Sequence, residues 1–175
     1  MYFDRFPKGQ YIIPGTKEYK LVCDLWRRIK IRDKIKKEAS LYSEYFISNG
    51  EKPEDIAQKH FGSPLLHWIV LITNDITDRY YEWPLTFSAF EEYINDKYDN
   101  PNGIHHYEIS QTSGDSTLKI DIGTSNADYP TATAVTNLEY EQAEQDKKRK
   151  IKLIDPVYVP QIVDEFQALM NESKI

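Results

Sequence analysis

The chain has 175 residues, of which 40% are hydrophobic and 13% aromatic, with a single cysteine, Cys23; this excludes general disorder and an internal disulfide. The formal charge of −6 is segregated, with 11 Lys/Arg against 6 Asp/Glu in residues 1–50, 5 against 18 in residues 51–146 and 6 against 4 in the last 29. The acidic body argues against broad nucleic-acid binding, and no apolar run reaches bilayer length or forms a signal-peptide core, so a soluble chain made in a cytoplasm is expected.

The first 40 residues read as an extended arm. Tyr11-Ile12-Ile13 is closed by a Pro14-Gly15 turn, and Arg28-Ile29-Lys30-Ile31-Arg32 alternates charged and apolar residues as a half-buried or docking strand does. Two readings stand side by side: a solvated strand covering its own body, or an edge strand added to a neighbouring subunit. Tyr45–Ser48 predicts a short strand turned at Asn49-Gly50. Pro53 suits a first helical position, Ile56, Ala57, His60 and Phe61 share one face, and Gly62 sits where a left-handed cap ends the helix. Ser63-Pro64 restarts a second helix with the stripe Leu65, Trp68, Ile69, Ile72. Leu66, Val70 and Leu71 make it apolar almost all round, so it is expected to be covered on more than one side, and Asn74 is its expected C-terminal cap.

An aromatic loop follows at Tyr80-Tyr81-Glu82-Trp83-Pro84. The spacing of Ser88 and Glu91 predicts a capped third helix to about Tyr98, with Phe90 and Ile94 inward. Asp99–Gly103 is a turn cluster. Tyr107–Ile109 and Leu118–Ile122 read as a β-hairpin around Ser113–Ser116, and residues 123–136 as a loop. Thr136 and Glu139 cap a polar helix to about Lys148, Lys150–Ile154 reads as a strand, and Pro156 or Pro160 opens a last helix with the stripe Ile162, Val163, Phe166, Leu169, Met170. These elements together predict an α+β fold, with boundaries at 1–40 (arm with basic strand), 41–98 (core plus third helix), 99–136 (hairpin insertion and loop) and 137–175 (helix, core-closing strand and C-terminal helix).

Chemistry is scarce. Gly15-Thr16-Lys17 is in the wrong order for a phosphate loop, there is no nucleophile elbow, and Cys23 has no local pattern of a thiol nucleophile. His105 and His106 are adjacent and point to opposite faces of a strand; His60 and His67 are seven apart across a break, not at helical zinc spacing. Asp75 and Asp78 flank the aromatic loop as a glycosidase pair might, but loop aspartates more commonly cap turns. The expectation is no catalytic residue, no metal and no cofactor.

The run Tyr45–Gly62 resembles the opening of a LysM module, with Gly50, Glu51, Ile56, Ala57, Lys59 and Gly62 in corresponding places and Lys52 in place of the usual capping Thr. The continuation Leu66–Ile76, then Asp78-Arg79-Tyr80-Tyr81-Glu82-Trp83-Pro84-Leu85, resembles the baseplate wedge subunit family of contractile-tailed phages. So do Met1–Pro7, Tyr19–Val22, Thr136–Glu141 and Lys148–Ile154. The resemblance implies a small LysM-like βααβ core whose second strand is Lys150–Ile154, with an N-terminal arm, an inserted β-hairpin and a C-terminal helix. Its core signature is Gly50, Pro53, Ala57, Gly62, Trp68, Asn74, Trp83 and Pro84. It further implies a structural, non-enzymatic subunit of the virion tail baseplate, present in several copies around the tail tube. Its expected partners are other wedge subunits, the large ring-forming one and the small inner one that meets the sheath, with neither nucleic acid nor membrane. Arg27, Arg28, Lys30 and Arg32, with Tyr80, Tyr81 and Trp83, are the candidate partner contacts. The alternatives are a peptidoglycan-binding LysM module, contacting glycan through Gly50–Pro53 and the loop after Asn74, and a cell-wall hydrolase.

Overall fold

The computed structural model describes residues 6–25, 39–111 and 117–172. In chain order its elements are β1 (Lys8–Ile12), β2 (Tyr19–Cys23), β3 (Tyr42–Phe46), α1 (Pro53–Phe61), α2 (His67–Thr73), the single turn α3 (Arg79–Glu82), α4 (Phe87–Lys97), β4 (Ile104–Ser110), β5 (Lys119–Asp121), β6 (Thr133–Thr136), α5 (Asn137–Arg149), β7 (Lys150–Ile154) and α6 (Val159–Glu172). The fold is α+β. The chain divides into two units, one made of residues 1–47, 51–82 and 151–175, the other of 48–50 and 83–150.

In the first unit, β1 and β2 form an antiparallel hairpin, with Lys8 opposite Cys23 and Ile12 opposite Tyr19. Where the sequence reads as an extended arm, the chain therefore folds back on itself. Gly15 takes a φ of +83° beside Pro14, and Thr16 donates from both N–H and hydroxyl to the Ile13 carbonyl, at 3.0 and 3.1 Å. The basic strand at 28–32 lies outside the described residues.

Strand β3 pairs with β7. The Asp155 N–H donates to the Leu41 carbonyl at 3.0 Å and Ser43 Oγ lies 3.5 Å from the Leu153 carbonyl, so the two strands run antiparallel. This pairing places β3 three residues earlier than the local pattern does, because the register is set by a strand over a hundred residues away. Between them, α1 opens on Pro53 and buries Ile56 and Ala57 completely. Lys52 offers no acceptor at the cap, and the Asp55 carboxylate instead reaches back to the Lys52 N–H at 3.0 Å. Gly62 ends the helix at φ +76°, donating to the Gln58 carbonyl at 3.1 Å.

Helix α2 starts after a 3-10 turn at Pro64–Leu66 and buries Trp68, Ile69 and Val70. It is covered by its own chain: Trp68, Ile69, Phe6, Ile154, Phe166 and Met170 form one apolar cluster, and the Trp68 and Phe166 rings are 4.7 Å apart. The cover expected for a helix apolar almost all round is thus supplied largely by the C-terminal helix α6. That helix is preceded by a 3-10 turn at Pro156–Tyr158, where the Asp155 carboxylate accepts from the Val157 N–H at 2.9 Å. Its stripe buries Phe166 and Met170 and leaves Leu169 open, one residue outside the expected face.

The second unit packs α4 and α5 with a three-stranded antiparallel sheet ordered β5-β4-β6. Thr86, not Ser88, caps α4, accepting from the Ala89 N–H at 3.3 Å. Ile94 is its buried residue and Phe90 is half-buried. Thr133–Thr136, within the stretch that reads as a loop, is the second edge strand of the sheet; four residues are too short for a period to declare itself, and β4 supplies the ladder. Thr136 and Glu139 form the expected capping box at the start of α5. The Asp99–Gly103 turn holds that helix start: the Asn137 and Leu138 N–H groups donate to the Gly103 and Pro101 carbonyls at 2.9 and 3.0 Å. A Cβ on Gly103 would lie 3.1 Å from the Asn100 carbonyl oxygen, so a side chain there would have to displace the turn by a few tenths of an ångström.

Candidate assembly site

After α2 the chain makes a turn held by several short-range polar bonds. Asp75 takes a left-handed φ of +58°, and the Ile76 N–H donates to the Leu71 carbonyl at 3.0 Å. The Glu82 carboxylate accepts from the Thr77 and Asp78 N–H groups at 2.5 and 2.8 Å, while Asp78 accepts from the Tyr80 N–H at 2.9 Å. Arg79 ties the turn to α1 through an ion pair with Glu54 at 3.0 Å. The consequence is a fixed platform presenting Tyr80 and Tyr81, 88% and 77% exposed. Tyr80 and Tyr81 are the candidate contact residues that the described structure leaves exposed. Asp75 and Asp78, the possible acid pair, serve here in backbone geometry and capping.

Trp83, named both in the core signature and with the two tyrosines as a partner contact, is only 8% exposed and belongs to the interior. Arg27, Arg28, Lys30 and Arg32 lie outside the described residues. Of the signature residues, Pro53, Ala57 and Trp68 are buried, Pro84 is half-buried, and Gly50 and Gly62 hold φ of +74° and +76°. Asn74 does more than end α2. Its Nδ2 donates to the Val70 and Lys152 carbonyls at 2.9 and 2.8 Å, and its Oδ1 accepts from the Lys152 N–H at 2.8 Å. One side-chain amide thereby satisfies both backbone groups of Lys152.

Several buried polar groups escaped the sequence reading. Glu51 is buried and accepts from the Tyr45 hydroxyl at 2.8 and 3.0 Å and from Lys59. In the second unit, Glu141 is buried among Lys97 (2.6 Å), the Tyr98 hydroxyl (2.8 Å) and the Tyr93 hydroxyl (3.3 Å). Burial alone would push its carboxyl up, but the bonds from Lys97 and Tyr98 outweigh that and hold it below the ordinary carboxylate range. The bond to Glu141, supported by Tyr93, raises the Lys97 ammonium correspondingly. Gln145 and Arg149 are buried one and two turns further along α5, and grip the Leu85 backbone: Gln145 Oε1 accepts from its N–H at 2.9 Å and Arg149 donates to its carbonyl at 3.2 Å.

His105 and His106 depart from simple alternation. A register shift between Ile104 and His106 brings both rings to Tyr140: His105 stacks on it at 3.9 Å, His106 meets it edge-on, and the two Nδ1 atoms are 2.9 Å apart. His106 Nε2 faces Glu108 at 3.1 Å. Among the described residues no group of three or more His, Cys, Asp or Glu is arranged to hold a metal ion, and no helix is long and apolar enough to cross a membrane. What the geometry presents is a braced aromatic turn.

Residues 9–174 match the family model described as Base plate wedge protein 53. The chain belongs to that family. It is similar to the baseplate wedge protein gp53 of Enterobacteria phage T4, at 26% identity with 74% of each chain covered. A member of the base plate wedge protein 53 family is a structural protein of the virion tail baseplate, and this chain is one. Neither match lends support to the peptidoglycan-binding alternative.

Proposed function

We propose that this wedge protein joins neighbouring wedge subunits during baseplate assembly, acting as a non-enzymatic connector, and that the Tyr80–Tyr81 turn is one of its contacts. The observation that carries the reading is the bracing of that turn. Glu82, Asp78 and Arg79 fix its backbone, so little backbone freedom is left to lose on docking. Arg27, Arg28, Lys30 and Arg32 supply a second, electrostatic contact, consistent with the segregation of positive charge into the first 50 residues. The partners in this reading are the large ring-forming wedge subunit and the small inner subunit that meets the sheath, with several copies arranged around the tail tube.

Replacing Tyr80 and Tyr81 together by Ala should leave thermal stability within about 0.5 kcal/mol of the parent, as surface substitutions do. Wedge assembly, measured by co-purification with co-expressed wedge subunits, should fall about tenfold or more. Charge reversal at the four basic residues should act in the same direction and depend on salt. Unimpaired assembly by the tyrosine variant removes the turn from the interface.

A further inference from the structure

The sheet of the second unit has two faces of opposite character; on the polar one His106 is buried and Glu108 half-buried, while Ser110, Lys119 and Asp121 are exposed. Glu108 stands opposite Asp121 and Ser110 opposite Lys119, so these side chains share a face with His106, two residues before Glu108. That face meets α5, where His106 is buried against Tyr140. The other face collects Tyr107, Ile109, Leu118, Ile120 and Ile122. Ile109 pairs with Ile120, the Ile122 N–H donates to the Tyr107 carbonyl at 2.9 Å, and the Gln111 N–H to that of Leu118 at 3.0 Å. Leu118 and Ile120 are 53% and 45% exposed. Tyr107, Ile109, Ile122 and, opposite Leu118, Gln111 are half-buried on the same face. Single exposed aliphatics are ordinary on a protein surface; two that continue a row of half-buried apolar side chains make this face a candidate contact surface.

We infer that this face docks a neighbouring baseplate subunit whose patch is apolar at its centre and ringed by lysine and arginine. The inference rests on the wedge role. Charge selects the occupant: residues 48–50 and 83–150 hold 12 Asp/Glu against 6 Lys/Arg. A second copy docking face to face would set like charge on like, whereas a cationic rim is drawn in by the same field.

The test is a Leu118→Cys chain, assembled into baseplates and labelled with a maleimide beside the free chain; the parent, with Cys23 alone, supplies the background. Label should enter the free chain readily and the assembled one about tenfold more slowly or worse. Leu118→Glu and Leu118→Lys should both reduce incorporation with unchanged melting, and the lysine should do so more strongly. Equal labelling free and assembled overturns the docking face while leaving the wedge role intact, since the chain is recovered in the particle. Absence of the chain from purified baseplates ends the wedge role and the inference with it. Shielding already in the free chain, with self-association in sedimentation velocity, assigns the face to a second copy and overturns the proposal, and a stronger effect of the glutamate overturns the cationic rim.

Discussion

The two units solve the problem of an interior differently. The first buries Trp68, Ile69, Ile154, Phe166 and Met170 in one apolar cluster. The second buries His106, Glu141, Gln145 and Arg149, so that its longest helix, α5, turns a stripe of polar side chains inward at i, i+4 and i+8. An apolar interior gains from removal of area from water and tolerates imprecise geometry. A polar one holds only while every partner is in place, because each group left unpaired costs its full desolvation.

The sharpest way to break the first unit is Trp68→Ala, expected to cost about 3–5 kcal/mol in denaturant unfolding through the cavity left against Phe166. A loss under about 1 kcal/mol would mean that α6 does not depend on that ring. For the second unit, Glu141→Gln keeps the shape and removes the charge. With Lys97 partly exposed, a loss of about 1–3 kcal/mol is expected.

The same carboxylate makes the second unit acid-sensitive. Because its folded pKa lies below the unfolded value, Glu141 stabilises above the ordinary carboxylate range, and that contribution is lost as pH falls through the depressed value. Thermal melts of the parent should drop in this window, and those of Glu141→Gln should drop less. Parallel curves would exclude Glu141 as the titrating group.

Asn74→Ala removes three bonds at once, and about 1–2 kcal/mol is expected from hydrogen exchange at the Lys152 amide and from equilibrium unfolding. The smallest contrast separates the two possible caps of α4: Thr86→Ala should cost about 1 kcal/mol and Ser88→Ala close to nothing. Equal effects would place the helix start elsewhere.

Much of the first unit is legible locally. Pro53, the Ile56-Ala57 pair and Gly62 mark α1 because proline, apolar spacing and left-handed glycine act within a few residues. The last helix declares itself by its stripe, apart from Leu169. In the second unit the capping box of α5 is legible, but nothing local distinguishes the buried Glu141 from the exposed Glu139. The exposed tyrosines were legible as a cluster. Trp83, two residues on, stands in the sequence reading both as a core signature residue and as a partner contact; its burial decides for the first, because an aromatic run carries no direction without a fixed turn.

From its residues alone this chain determines its class, most of its helices and their ends, the absence of an internal disulfide and the segregation of its charge, because these follow from local sterics, periodicity and composition. Tertiary structure alone decides that residues 8–23 fold back as a hairpin, that Thr133–Thr136 joins a sheet, that α2 is covered by α6, and that Leu118 and Ile120 are exposed while the Glu51 and Glu141 carboxylates and the Arg149 guanidinium are buried. Each of these depends on a partner distant in sequence, and an alternating or polar segment specifies two faces without specifying which of them will be inside.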